Sequence, residues 1–259
     1  MTLKKSKNKD KFIEFNRYEL KAKKYLKENK FLKNYKNNII PFYLKSAYKK
    51  YNSLISKNIN SSMNVLEIGC GTGEHTEKIL KTGCKFTASD ISENSLKIVN
   101  LKYKKKYQNL KILSADIEQL PFKDMSFDAV CCAGSLSYGS KNQVISEIFR
   151  VLKTNGIFIS IDSLNDNPIY RLNRYIHFLR GNRSFSTLIN MPSLSLLKIY
   201  KKKFGDLEIY FFGNFFWCIP FMKLFCSKKI INNIMKLCDK YIRLNSLAFR
   251  FVMIVRKAQ

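Results

Sequence analysis

Three glycines at alternating positions, Gly69, Gly71 and Gly73, follow a short apolar run of Val65, Leu66 and Ile68. A polar segment with helical potential comes next. Strand, tight turn and helix N-terminus in that order let a backbone approach a ligand closely. Two acids, Asp90 and Asp116, stand downstream where strand-like runs stop. An acid at the end of a second strand can accept from both hydroxyls of a ribose. An acid after a third can accept from an adenine amino group. The interval from Gly69 to Asp90 is close to the roughly 20 residues that this geometry requires. A lone strand-end acid is more commonly a cap or a loop residue. In company with the glycine turn, the two acids read as a nucleoside site.

The charge around the turn selects the tail of that nucleoside. A dinucleotide site has Gly-x-Gly-x-x-Gly, with amides and helix dipole facing a pyrophosphate. Here the third glycine falls one place early, at Gly73, and the sixth position is Glu74. An acid there repels pyrophosphate, and Glu67 just before the turn adds negative charge. Such a rim suits a cationic amino acid tail. The sulfonium and ammonium of S-adenosylmethionine fit it.

The elements that must position these residues follow from periodicity. Apolar runs at 64–68, 84–89, 109–113, 127–132 and 157–161 read as strands, with helices between them. The first helix, about 74–82, stops at Gly83. Ser92 can cap the second, whose apolar positions are Leu96, Val99 and Tyr103. Ser140 with Gln143 forms a capping box for a third, running through Leu152. Strands that are near-continuous apolar runs, alternating with helices, predict a parallel sheet covered on both faces. Residues 163–203 interrupt the alternation with Pro168, Pro192 and helices at about 169–180 and 193–203. They read as a helical insertion on the acceptor side. Strand six at 207–212, a helical stretch over 213–241 and strand seven at 247–255 complete the chain. Ahead of the sheet, residues 1–10 are lysine-rich and expected to be disordered. A basic helix spans about 10–31, and another starts at Pro41 with Leu44, Tyr48, Tyr51 and Ile55 at helical spacing. The expected fold is α/β: a Rossmann-like, seven-stranded, mostly parallel sheet with helices on both faces. Its parts are a basic N-terminal helical extension over 1–60 and a main domain over 61–259.

The chain has 259 residues and a net charge of +28. Residues 1–60 hold 17 Lys+Arg against 4 Asp+Glu, residues 61–165 hold 13 against 11, and residues 166–259 hold 17 against 4. Two basic flanks around a nearly neutral middle suggest an anionic partner: nucleic acid, an anionic membrane or a phosphorylated substrate. A lysine-, asparagine- and isoleucine-rich composition would produce the same excess. Nucleic acid is the less favoured partner, since no arginine-dense block with interleaved aromatics is present. Seven cysteines, an odd number with no Cys-x-x-Cys pair, read as reduced thiols without a metal site. No apolar run follows the lysine-rich start, so a cytoplasmic location is expected, with membrane-peripheral contact the reading that the basic flanks add.

Val-Leu-Glu-Ile-Gly-Cys-Gly-Thr-Gly (65–73) resembles the first motif of class I S-adenosylmethionine-dependent methyltransferases. Ala-Asp-Ile-Glu-Gln-Leu-Pro-Phe (115–122), Ser-Phe-Asp-Ala-Val (126–130) and Ile-Phe-Arg-Val-Leu-Lys-Thr-Asn-Gly (148–156) are similar to later motifs of its small-molecule, type 11-like branch. The resemblance implies that Glu67, Gly69, Gly71 and Gly73 line the methionine tail and that Asp90 binds the ribose, with Ile91 packing beside the adenine. It further implies that Asp116 and Ile117 contact the adenine, and that Ala133 and Gly134 sit under the methyl donor. The product would be S-adenosylhomocysteine, with no metal required. The loop after strand four, Cys-Cys-Ala-Gly-Ser-Leu-Ser-Tyr-Gly (131–139), departs from the branch, which often carries paired histidines there. Acceptor chemistry is therefore not carried over to this loop.

Methyl transfer to an activated donor needs proximity, orientation and, for a hydroxyl, proton removal. Tyr138 and His177 are the candidate catalytic residues; His75, beside the turn, reads as structural. Arg171, Arg174, Arg180 and Arg183 could clamp a phosphate or carboxylate, or simply face solvent. The uncharged stretch 209–222 is shorter than the roughly 20 residues of a spanning helix. It reads as strand six and a core helix, or as an apolar acceptor pocket or a face lying on a membrane. The expected activity is methylation, at oxygen or nitrogen, of a small molecule or a carrier-linked glycan intermediate. The alternatives are an RNA methyltransferase and a methyltransferase-fold binding protein without turnover.

Overall fold

The computed structural model describes residues 2–28, 41–242 and 244–258. Its frame is one seven-stranded sheet in the order β3-β2-β1-β4-β5-β7-β6. The strands are β1 Asn64–Ile68, β2 Lys85–Asp90, β3 Leu110–Ser114, β4 Phe127–Ala133, β5 Leu152–Ser163, β6 Gly205–Phe212 and β7 Arg250–Lys257. β1 to β5 pair in parallel, while β7 runs antiparallel to both β5 and β6. The strand order reverses beside β1, so β1 and β4 flank the crevice where ligands of such sheets bind.

Both faces of the sheet are buried, which is why its central strands are apolar throughout. Alternation sends Leu66, Ile68 and Val130 to one face, under α5 (Lys141–Val151) and α8 (Leu194–Phe204). Val65, Ala129 and Ile159 face the other, under α2 (Lys45–Asn58), α3 (Thr76–Leu80) and α4 (Glu93–Tyr103). Tyr51 and Ile55 of α2 are fully buried there. Tyr200 and Phe204 of α8 are buried against β5 and β7, so α8 is part of the main core.

Several local expectations shift. Helix α1 spans Thr2–Lys27, so the expected disorder of 1–10 does not hold over 2–10. Lysine is a good helix former and needs no partner to continue a helix. The expected end of that helix, 29–31, lies outside the described residues. Ser140 is the N-cap of α5, but its side chain makes no capping bond. Its backbone N–H donates instead to Glu118. Ser92 caps α4 as expected, accepting from Ser95 N–H. Between β5 and α8 lie α6 (Pro168–Leu179) and a short α7 (Phe185–Ile189). After β6 come α9 (Ile219–Met222) and α10 (Lys228–Tyr241).

Candidate active site

The turn leaving β1 is held in shape by its neighbours. Gly69 and Gly73 have φ of 64° and 82°, which L side chains rarely adopt. A Cβ on Gly69 would stand 2.3 Å from Ser135 Oγ, and one on Gly73 2.8 Å from the Tyr103 ring. Gly71 N–H donates to Asp90 Oδ2 at 2.8 Å, and Ser92 N–H to Asp90 Oδ1 at 2.9 Å. Tyr103 donates to Gly73 O and Lys102 to Thr72 O, so α4 clamps the back of the turn. The carboxylate of Asp90 thus organises the turn besides facing the crevice.

A cavity of about 320 Å³ opens at the carboxyl ends of β1, β2 and β4. It brings together Glu67, Gly69, Gly71, Asp90, Ile91, Asp116, Ile117, Ala133, Gly134 and Tyr138 from the expected set. Gly73 does not line it: the close fit to Tyr103 places it behind the turn. His177 does not line it either. It lies on α6, where its carbonyl accepts from Asn182 N–H. His75 does border the cavity, half-buried and stacked on Tyr48 at 4.7 Å. Burial lowers its pKa to about 4, so it is neutral at pH 7.

The cavity is acidic in a basic chain. Glu67 is 1% exposed and accepts from Thr76 Oγ1 at 2.6 Å. Burial, with smaller contributions from Glu74 and Asp90, raises its pKa to about 8. Burial likewise raises that of Asp90. A cation beside Glu67 would favour its ionised form. That is the property expected of a pocket for an ammonium tail, and the opposite of one for pyrophosphate.

Helix α1 closes the mouth, which no local signal in the sequence announces. Lys11, Glu14, Phe15 and Tyr18 line the cavity. Lys11 pairs with Asp116 and, at 2.7 Å, with Glu118. Glu19 accepts from Ser92 Oγ and from Asn94 Nδ2 at 2.6 Å. The Tyr18 and Tyr138 hydroxyls share a hydrogen bond, with ring centroids 5.3 Å apart. Burial, with Tyr18 adjacent, holds the Tyr138 phenol well above its ordinary pKa. Tyr138 is therefore a neutral hydrogen-bonding group and not an anionic base. On its far side a second depression is lined by Arg17, Lys21, Asn182 and Arg183 together with the two tyrosines. Of the other arginines weighed for a clamp, Arg174 is buried and donates to Leu164 O and Asn165 Oδ1; Arg171 and Arg180 are exposed. Among the described residues, no three His, Cys, Asp or Glu side chains are grouped to hold a metal ion. Nor is any helix among them long and apolar enough to cross a membrane.

Comparison with known proteins places this geometry. Residues 66–160 match the protein family described as a methyltransferase domain. A sterol 4-C-methyltransferase of Caenorhabditis elegans is 35% identical over 136 residues, covering 51% of this chain and 41% of that protein. A demethylmenaquinone methyltransferase of Lactococcus lactis is 34% identical over 122 residues, covering 43% and 46%. The chain thus spans less than half the length of either relative. Among solved structures, geranyl diphosphate C-methyltransferase of Streptomyces coelicolor superposes with a TM-score of 0.58 at 14% identity, covering 83% and 80%. At that identity the likeness is one of fold.

Proposed function

We propose that this chain is a class I S-adenosylmethionine-dependent methyltransferase, its residues 66–160 matching a methyltransferase domain, and that it transfers a methyl group to a small-molecule acceptor. The observation that carries the reading is the buried Glu67 beneath the glycine turn, in an acidic cavity that also holds Asp90 and Asp116. S-adenosylmethionine would supply the methyl group already activated as a sulfonium. Glu67, Gly69 and Gly71 would receive its amino acid end. Asp90 would accept from the ribose, with Ile91, Asp116 and Ile117 around the adenine. Asp116 keeps acceptor capacity beside Lys11, because a carboxylate offers about four lone-pair sites. Ala133 and Gly134 would border the sulfonium.

Acceptor positioning falls to the opposite wall. Tyr138 stands between the cavity and the depression lined by Arg17, Lys21 and Arg183. That arrangement supports an acceptor carrying an anionic group, such as a phosphate or carboxylate. Its nucleophile would pass Tyr138, whose neutral hydroxyl orients it. The sterol and demethylmenaquinone named for the two relatives support a small-molecule acceptor.

Isothermal titration with S-adenosylmethionine and S-adenosylhomocysteine tests the donor site. Absence of heat with both would sink the reading. Transfer of a labelled methyl group into a small-molecule extract separates an enzyme from a binding protein of the same fold. Retention on RNA that falls with salt would move the acceptor to nucleic acid.

A further inference from the structure

Helix α10 has a wider apolar arc than the core uses. At about 100° per residue, Ile231 and Met235 point into a small cluster with Tyr170, Phe216 and Ile219. Ile230, Ile234, Leu237 and Tyr241 fall on an adjoining stripe, and that stripe is exposed. Helix α6 repeats the pattern more sharply. It buries Tyr170 and Arg174 on one side and exposes Leu172, Ile176 and Leu179 on the opposite one. Between the two helices' chain positions, the turn after α9 carries Leu224 and Phe225, 74% and 87% exposed.

Helices α6 and α10 meet at one small buried cluster, and the exposed α6 stripe lies on the side away from it. Tyr170 of α6 packs in the same cluster as Ile231 and Met235 of α10, and its hydroxyl donates to Gly213 O and accepts from Trp217 N–H. Ser163, Arg250 and Phe212 are in register at the ends of β5, β7 and β6. α6 and α9–α10 therefore leave the same sheet edge that carries the glycine turn.

The charge of the turn after α9 and of α10 is basic. On α6 and just beyond it Arg171 and Arg180 are exposed, while Arg174 is buried and residues 184–187 bond to Asp10 and Glu14 of α1. Residues 214–242 contain five lysines and one acid, Asp239. That acid is turned to the backbone, accepting from Gly213 N–H at 2.7 Å. A second copy of this chain on the same face would set cations against cations across a twofold axis. An apolar face ringed by cations matches an interface of acyl chains beneath anionic headgroups.

We infer that the turn after α9 and helix α10 together seat the protein on an anionic lipid bilayer. The apolar stripe enters the headgroup boundary, and Lys223, Lys228, Lys229, Lys236 and Lys240 face lipid phosphates. The inference uses no residue of the cofactor cavity and stands independently of methyl transfer.

Cosedimentation of the full chain with vesicles tests it. Vesicles of phosphatidylcholine with phosphatidylglycerol should bring the protein down, progressively less as salt rises, and pure phosphatidylcholine should not. The double variant Leu224→Glu/Phe225→Glu should weaken binding at least about tenfold. Lys228→Gln/Lys229→Gln, a change that leaves every buried contact in place, should weaken it roughly fivefold per lysine. Thermal unfolding like that of the unaltered chain shows that either variant is folded. No sedimentation with either vesicle would overturn the inference. So would equal binding to neutral vesicles that the lysine variant does not alter. A concentration-dependent dimer abolished by the Leu224→Glu/Phe225→Glu variant would make the face an interface between copies and overturn it as well.

Discussion

Glu67 gives the donor site a pH signature. Strand alternation turns its side chain into the face under α3, where it is 1% exposed beside Thr76. Burial there raises its pKa from 4.5 to about 8. At about 1.4 kcal/mol per unit, ionising it in place costs on the order of 5 kcal/mol. The folded, unliganded chain keeps this proton between pH 4.5 and about 8, where the unfolded chain has lost it. Its contribution to stability is therefore present at low pH and is lost as pH rises through that window. An ammonium placed against Glu67 favours the ionised form and lowers its pKa. Binding near neutral pH should then expel close to one proton. Affinity for S-adenosylmethionine should rise with pH by up to about tenfold per unit and level off above about pH 8. Titration calorimetry in two buffers of different ionisation heat measures both the affinity and the proton. Glu67→Gln should flatten the pH dependence and abolish the release. A pH-independent affinity in the unaltered chain, or the same slope in Glu67→Gln, would refute the reasoning.

Three further perturbations probe the same site. Asp90→Ala removes an acceptor for the ribose and for Gly71 N–H, and should weaken S-adenosylmethionine and S-adenosylhomocysteine alike by about 10- to 100-fold; unchanged calorimetric affinity would remove Asp90 from the ligand. Gly69→Ala forces a Cβ to 2.3 Å from Ser135 Oγ, whereas Gly134→Ala at φ 81° meets nothing within 4 Å. Gly69→Ala should therefore lower the melting temperature more, with backbone strain alone worth about 1–3 kcal/mol at each; equal losses would contradict the close approach. Tyr138→Phe should leave donor affinity unchanged while slowing methyl transfer roughly tenfold or more, and unaltered turnover in the labelled-methyl assay would take the hydroxyl out of the chemistry.

The frame was legible because its signals are local. Asn64–Ile68 is the first strand by its apolar run, and Ser92 caps α4 by its side chain. Long-range competition was not legible. Ser140 and Gln143 have capping-box spacing, yet the Ser140 N–H goes to Glu118, 22 residues away. Tyr138 lines the cavity because it follows β4 directly. His177 has the residue type of a base, but α6 leaves it outside the cavity. His75 reads as structural beside the turn, and its ring borders the cavity stacked on Tyr48. The mouth-closing residues Lys11, Glu14 and Tyr18 carry no spacing relation to the turn, so no periodicity could have joined them to it.

By itself the sequence carried the pattern from which the donor class is proposed. A glycine turn and acids at set offsets sit within successive strand–helix units, and strand rise with right-handed crossovers brings those ends to one edge. Tertiary structure alone decided how that edge is used. It buried Glu67 and so altered its charge, folded α1 back over Asp116 through Lys11, and turned the outer faces of α6 and α10 to solvent. Burial and contact between distant helices depend on how whole elements rotate and pack, and a linear pattern of residues carries no coordinate for that.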